Sequence, residues 1–215
     1  MNKIVIGYGK EEGRKVPRHF DERERSAIRA ALIRNGRDLF VHRGLAKVSV
    51  DELCAGAKIA KGSFYAFFRS KEELFLAIVK EDEALMRLEI SGILADASLA
   101  PRDQFRKLYK GQLDSLERYP MLRTASSPET YALLSRRLPP EALGQDRDEE
   151  FIAGLIQGWR SRGFECRYTV RQLVDLSRAL FFVYLHREDG LLGDSLEVFL
   201  DLLSNALVMK GPVDE

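Results

Sequence analysis

The 215-residue sequence predicts an all-α fold, and three observations carry that prediction. Two serine–glutamate pairs at capping-box spacing, Ser49 with Glu52 and Ser70 with Glu73, mark helix starts on either side of a short segment. Apolar residues recur at three- and four-residue spacing through the long stretch that follows. Pro101, Pro120, Pro128, Pro139-Pro140 and Gly163 fall at the ends of those periodic stretches, where helices start or stop.

Along the chain, Lys3, Lys10, Arg14, Lys15 and Arg18 form a basic extension over residues 1–20, ahead of a first helix that starts near Asp21. It reads either as a solvated tail or as an arm that follows the minor groove of DNA. The glycines of KIVIGYGKEEG do not make a dinucleotide loop, because their spacing is G-x-G-x-x-x-G and no strand–helix–strand unit follows. A helix begins near Val50, where Val48 and Leu53 occupy the positions of a hydrophobic staple. Another begins near Lys71 and carries Leu74, Phe75, Ile78 and Val79 on one stripe. Between them is room for one short helix, Ala60 to Phe68, with Ile59, Phe64 and Phe68 facing a core. Two short helices joined by a tight turn make a helix-turn-helix unit.

The other face of the middle helix leaves Lys61, Ser63, Tyr65 and Phe67 toward solvent, with no acidic side chain from Lys58 to Ser70. A cation, a hydroxyl and a phenol suit phosphates and base edges. Ala60 has no side-chain oxygen for the helix start, which leaves the first amides open to a phosphate. Taken one at a time, Tyr65 and Phe67 are equally readable as core aromatics and Lys61 as a solvated charge; the joint pattern favours DNA.

These residues resemble the TetR-type transcriptional regulators. The match runs through Leu39-Phe40, Gly44, Ser49, Glu52-Leu53, Ala57, Ile59, Lys61-Gly62-Ser63-Phe64-Tyr65, Phe68 and Ser70-Lys71-Glu72-Glu73-Leu74, over roughly residues 22–80. The resemblance implies an N-terminal three-helix DNA-binding domain, a C-terminal helical domain for ligand binding and dimerisation, and a two-fold dimer. By position it implies DNA contacts from Ser49, Lys61, Gly62, Ser63, Tyr65, Phe67 and Lys71. The corresponding division is 21–75 for the DNA-binding domain and 76–215 for the effector-binding and dimerisation domain. Five positions depart from the pattern. Lys58 replaces a turn glycine, Ala60 a serine or threonine, Phe67 a histidine or tyrosine, and Asn35-Gly36 an alanine pair. Phe67 can touch a sugar or a thymine methyl but donates no hydrogen bond.

Charge is divided unevenly. Residues 1–75 hold 16 Lys or Arg against 10 Asp or Glu, a balance of +6, whereas the remainder holds 18 against 23, a balance of −5. The basic half is the one with the helix-turn-helix, as a phosphate-binding surface requires. The longest apolar run, Ala179 to Leu185, is too short to span a bilayer. Two cysteines far apart, Cys54 and Cys166, suit a reduced cytoplasmic protein. Cys54 reads as a packing residue, and Cys166, in an expected loop, as a thiol with a possible sensing role. His19, His42 and His186 are scattered, with neither metal-ligand nor nucleophile–base spacing, so no catalytic residue, metal site or cofactor is expected and an enzyme is disfavoured.

In the second half, helices are expected over Pro101–Arg118, Ser127–Leu138, Phe151–Arg162, Thr169–His186 and a last stretch from Leu192 to Ala206, with the polar GQDRDEE read as a loop. Candidate ligand-binding residues are Phe105, Tyr109, Tyr131, Phe151 and Trp159, with Arg123, Arg136, Arg137, Arg160 and Arg162 available to an anion. The last two helices are apolar enough to need a partner, which places Leu173, Leu180, Leu192, Leu196, Phe199 and Leu203 at a four-helix homodimer interface. The expected function is a repressor that binds a palindromic double-stranded operator as a homodimer and is released by an unidentified small-molecule effector. The alternative is a DNA-binding regulator or architectural factor without an effector.

Overall fold

Ten α-helices account for most of the residues described in the computed structural model, which are 21–143, 145–185 and 195–210. The basic extension and Leu192 lie outside them. The helices are α1 (Glu22–Lys47), α2 (Val50–Ala57), α3 (Lys61–Phe64), α4 (Lys71–Ala95), α5 (Pro101–Arg118), α6 (Pro120–Ala125), α7 (Pro128–Arg137), α8 (Gln145–Arg160), α9 (Val170–Leu185) and α10 (Ser195–Leu207). A 3-10 turn, Pro140–Leu143, leads into α8. Two three-residue strands, β1 (Phe164–Cys166) and β2 (Val208–Lys210), pair antiparallel.

The helix starts follow the capping chemistry in the sequence. Asp21 accepts from the Glu24 amide at 2.8 Å, and the Glu24 carboxylate accepts from the Asp21 amide at 3.3 Å. Ser49 and Glu52 make the same reciprocal pair at the start of α2. The second expected box is only half formed. Ser70 accepts from the Glu73 amide at 3.2 Å, but the Glu73 carboxylate reaches one residue further back and accepts from the Arg69 amide at 2.5 Å.

α4 joins the N-terminal helices α1–α3, the head, to the later helices α5–α10, the body. The expected boundary at residue 75 falls inside this helix, whose first half packs on α1 and whose second half packs on α5 and α6. Gly36 sets the approach of α1 and α4. A methyl group there would stand 3.1 Å from both Leu74 Cδ2 and Ile78 Cδ1. Glycine inside a helix costs about 1 kcal/mol relative to alanine, and the close contact of buried Leu32, Phe40, Leu74, Phe75 and Ile78 offsets it. Phe40 meets Phe75 edge-to-face with centroids 5.2 Å apart. Arg37 of α1 pairs with the buried Asp82 of α4 and, at 3.5 Å, with Glu81.

Asn35 has a separate task. Its amide nitrogen donates to the carbonyls of Glu52 at 3.2 Å and Leu53 at 3.0 Å, tying α1 to α2. It lies so close to Gly56 that a methyl group at Gly56 would meet the Asn35 amide at 2.1–2.2 Å. The two departures Asn35-Gly36 therefore serve two contacts, one with α2 and one with α4.

In the body, Phe105, Leu108, Tyr109, Leu113 and Leu116 of α5 are buried with Trp159 of α8 and Leu173 and Leu180 of α9. Gln104 organises the end of α4. Its nitrogen donates to the carbonyls of Ile93 and Leu94 at 3.0 Å each, and its oxygen accepts from the Trp159 indole at 2.8 Å and the Arg162 guanidinium at 3.0 Å. Arg106 of α5 pairs with Glu197 and Asp201 of α10.

Two sequence expectations need correction here. The polar GQDRDEE stretch is largely the first turns of α8, which begins at Gln145 rather than Phe151; acidic residues stabilise a helix N-terminus, so polarity there does not signal a loop. The GFECRY segment after Gly163 contains β1 and therefore places Cys166 in a strand opposite Val208. A three-residue strand is too short to leave a periodic signal.

Gly56→Ala is expected to cost about 2 kcal/mol, the two hydrogen bonds that Asn35 must give up. In an Asn35→Ala background the same change should be neutral or stabilising, by up to about 1 kcal/mol of helix propensity. Urea denaturation of the four proteins in this cycle checks the reversal of sign.

Candidate nucleic-acid interface

The turn between α2 and α3 is made by Lys58 in the left-handed region, with φ 56° and ψ 40°. Its amide donates back to the carbonyls of Ala55 and Cys54, and the Ile59 amide donates to Cys54 at 3.1 Å. This is the position read from the sequence as a replaced glycine, and a side chain there costs on the order of 1 kcal/mol. Cys54 beneath the turn is buried, and burial pushes its thiol up in pKa, which suits packing rather than reactivity.

α3 starts at Ala60 without any side-chain cap. It is one turn long, Lys61–Phe64, where a helix to Phe68 was expected. Beyond Phe64 the backbone continues as turns, with the Ala66 amide on Ser63 at 3.1 Å and the Phe67 and Phe68 amides on Phe64 at 2.9 and 3.1 Å. Phe64 and Phe68 are buried and anchor the segment from below.

Tyr65 is 55% exposed and rests its edge on Phe64, with centroids 5.5 Å apart. Gly62 is exposed, and nothing lies within 4 Å of where its side chain would be, so its backbone is open to close approach. Ser63 is half-buried beside them. Lys61 is exposed and pairs with Asp51 in the first turn of α2 at 2.9 Å. Asp51 lies outside the acid-free stretch from Lys58 to Ser70 and reaches Lys61 only because the turn folds α3 back beside the start of α2. Asp51 also raises the Lys61 pKa, mainly through this hydrogen bond.

Ser49 caps α2: it accepts from the Glu52 amide at 3.3 Å and donates its hydroxyl to the Glu52 carboxylate at 2.7 Å. Arg43 and these Ser49 bonds hold the Glu52 carboxyl down to about 2, with the Arg43 hydrogen bond the largest cause. Asp51 and Lys61 join the start of α2, capped by Ser49, to the exposed face of α3.

Two expected contacts are placed differently. Phe67 is half-buried against the core rather than solvent-facing, with the Arg25 guanidinium 5.3 Å above its ring. Lys71 turns its ammonium inward and donates to the carbonyls of Leu45 at 2.9 Å, Ala46 at 3.2 Å and Val48 at 2.7 Å. All three of its protons are used in closing the end of α1, a task suited to a cation at a helix C-terminus. Conversely, Arg25 and Arg29 were overlooked. Their guanidinium groups lie 5.3 Å over Phe67 and Phe68, which sets two cations beside α3. Their four-residue spacing on α1 was the available signal.

In the body, the candidate ligand residues separate. Phe105, Tyr109 and Trp159 are packed together, with Phe105 4.2 Å from Tyr109 and 6.5 Å from Trp159 between centroids. Burial raises the Tyr109 phenol, which bonds to Ser177. Phe151 lines a cavity of about 500 Å³ that also includes Leu94, Gln104, Leu155 and Arg162. Tyr131 is exposed on α7. Of the residues expected at a dimer interface, Leu173 and Leu180 are buried inside the chain's own core, whereas Leu196, Phe199 and Leu203 are half-buried. On the same two helices Phe182, Val198 and Leu202 are exposed at 54, 59 and 63%. Among the described residues, no helix is long and apolar enough to cross a membrane and no three His, Cys, Asp or Glu side chains converge as metal ligands.

Comparison with known proteins agrees with this geometry. Residues 32–78 match the family described as bacterial regulatory proteins, tetR family. The chain is 30% identical over 93 residues to the HTH-type transcriptional repressor DhaR of Mycobacterium sp. (strain GP1), covering 43% of this chain and 47% of that protein. It is 30% identical over 86 residues to the HTH-type transcriptional repressor NemR of Escherichia coli K12, covering 40% and 43%. The chain thus spans less than half the length of these two relatives. The fold is similar to the crystal structure of reduced E. coli NemR, with a TM-score of 0.60, 20% identity and coverage of 86% of this chain and 99% of that one. It is also similar to a putative tetR family regulator from Shewanella sp. PV-4, with a TM-score of 0.59, 17% identity and coverage of 85% and 98%.

Lys58→Gly is expected to stabilise the protein by about 1 kcal/mol by relieving the left-handed side chain, read as a higher urea midpoint with unchanged slope. The Glu52 carboxyl, whose ordinary value is 4.5, titrates near 2 in the folded protein. Because the folded value is depressed, its contribution to the cap is present above 4.5 and is lost as pH falls through about 2. A carboxyl NMR titration that gives Glu52 a midpoint near 4.5 would contradict the Arg43–Glu52–Ser49 arrangement.

Proposed function

From a chain whose residues 32–78 match the tetR family of bacterial regulatory proteins, we infer a DNA-binding transcriptional regulator of that family that binds a palindromic operator as a homodimer and is released by a small-molecule effector. The observation that carries this reading is the exposed face of α3. Lys61 and Gly62 of the α3 turn and Tyr65 just after it are exposed, while Phe64 and Phe68 are buried in the core beneath them. A short, rigidly seated segment with a cation, a phenol and an accessible backbone suits major-groove edges and phosphates. Repression is the proposed sign of regulation, since DhaR and NemR are named as repressors.

The dimer of this proposal uses the outer faces of α9 and α10. Phe182, Val198 and Leu202 supply exposed apolar surface, Leu196, Phe199 and Leu203 flank it, and Leu173 and Leu180 brace α9 from within. A two-fold pair would set its α3 segments about 34–36 Å apart, one turn of DNA. The effector site is assigned to the cavity beside Phe151. Gln104 on its wall holds the last carbonyls of α4, so a ligand there acts on the helix that enters the head. Such a ligand shifts the head only by its differential affinity for the two arrangements. A regulator without an effector is the second reading, favoured by the close packing of Phe105, Tyr109 and Trp159, which leaves those three aromatics no room to line a cavity.

Selection of genomic fragments by the purified protein gives the operator on which variants are compared. Lys61→Ala and Tyr65→Ala are each expected to weaken operator binding by about 1–3 kcal/mol with fold and assembly intact. Asp51→Asn, which frees Lys61 and removes a carboxylate from the same surface, should tighten it several-fold at low salt. Unchanged affinity in both alanine variants would sink the assignment.

A further inference from the structure

A second cleft, of about 720 Å³, lies between the C-terminal turn of α1 and the α6–α7 corner of the body. It is separate from the Phe151 cavity and falls where the head meets the body. Its volume is in the range of small-molecule sites. Val41, Leu45 and Leu133 give it apolar walls, and Arg43, Lys47 and Arg123 oppose the single acid Glu129 among its lining residues. Lys47 is exposed, and its ammonium makes no ion pair among the described residues. Gly44, with φ 75° and ψ 160°, breaks α1 at this place, and nothing lies within 4 Å of where a side chain would stand. The first turn of α7, capped by Ser127, closes the far side and adds a positive helix end.

We propose that this cleft binds an amphipathic carboxylate, with its apolar part against Val41, Leu45 and Leu133 and its carboxylate toward Lys47 and Arg43, and that occupancy weakens operator binding. The regulatory half of this proposal rests on the DNA-binding reading above. Arg43 is the connection. It bonds to Glu52 and, at 3.3 Å, to the Lys47 carbonyl. A ligand carboxylate that shares Arg43 leaves the Glu52 carboxylate less compensated, beside Ser49 at the start of α2. Negative charge uncovered there repels the DNA backbone. The same ligand bridges α1 to α7 and so resists any shift of the head against the body.

Calorimetric titration with decanoate, below its micelle concentration, tests the site, with decanol as the neutral probe of equal length. Decanoate is expected to bind once per chain, at least tenfold more tightly than decanol, and Lys47→Glu to weaken it at least tenfold. Lys47 is on the surface, so this variant folds; Leu133→Trp, which fills the cleft, should abolish binding. Saturating decanoate should lower operator affinity about tenfold in the wild-type protein and not in Lys47→Glu. Equal binding of decanol, or wild-type decanoate affinity in Lys47→Glu, overturns the site. Binding that leaves operator affinity unchanged overturns its regulatory role. Operator titration without probe is read separately: failure there removes the DNA-binding reading, while Lys47-dependent binding of decanoate still upholds the site.

Discussion

The close contact of α1 with α4 at Gly36 is the constraint on which the rest of the structure depends. Without a side chain at that point, Leu74 and Ile78 reach the α1 backbone, and Phe40 and Phe75 meet edge-to-face one turn away. Interiors packed at this density do not deform smoothly; they move as units. Because α4 runs unbroken from the head into the body, a displacement of its far end reaches α1 through these contacts and through the pairing of Arg37 with buried Asp82. Gln104 holds that far end by two carbonyls and is itself fixed by Trp159 and Arg162. The body therefore grips α4 at one end while the head packs on the other.

Charge at the start of α2 is arranged in pairs. Asp51 and Glu52 stabilise the start of α2 as acids at a helix N-terminus. Each also holds a cation, Asp51 holding Lys61 and Glu52 holding Arg43. Exposed pairs of this kind contribute little to stability, so releasing Lys61 from Asp51 costs little. Lys71 differs in kind. Three carbonyls at the end of α1 occupy it, and this bonding holds the segment after Gly44 in place.

Much of the head was legible because its signals are local. A serine and a glutamate three residues apart marked both helix starts, although the second box is only half formed, and the stripe Leu74, Phe75, Ile78 and Val79 shows its buried face in its spacing. The left-handed turn at Lys58 was equally readable, through a missing glycine. Contacts between elements were not. Asn35 and Gly36 read as a costly pair in a helix until α2 and α4 were placed beside them. The inward turn of Lys71 and the arginines over Phe67 and Phe68 likewise depend on how α1 crosses the head. In the body, helix periodicity located the elements but did not tell a packed aromatic from a cavity wall. Phe105, Tyr109 and Trp159 fill the core while Phe151 lines the opening, although all four have the same apolar spacing.

A chemical footprint of the protein on its selected operator tests the central claim, that two copies of the α3 face read DNA across a dyad. The expected result is two symmetry-related patches of major-groove protection with centres about 34–36 Å apart, both lost together when Tyr65 is replaced by alanine. Protection that is continuous and without a dyad, or that persists unchanged without Tyr65, would contradict it.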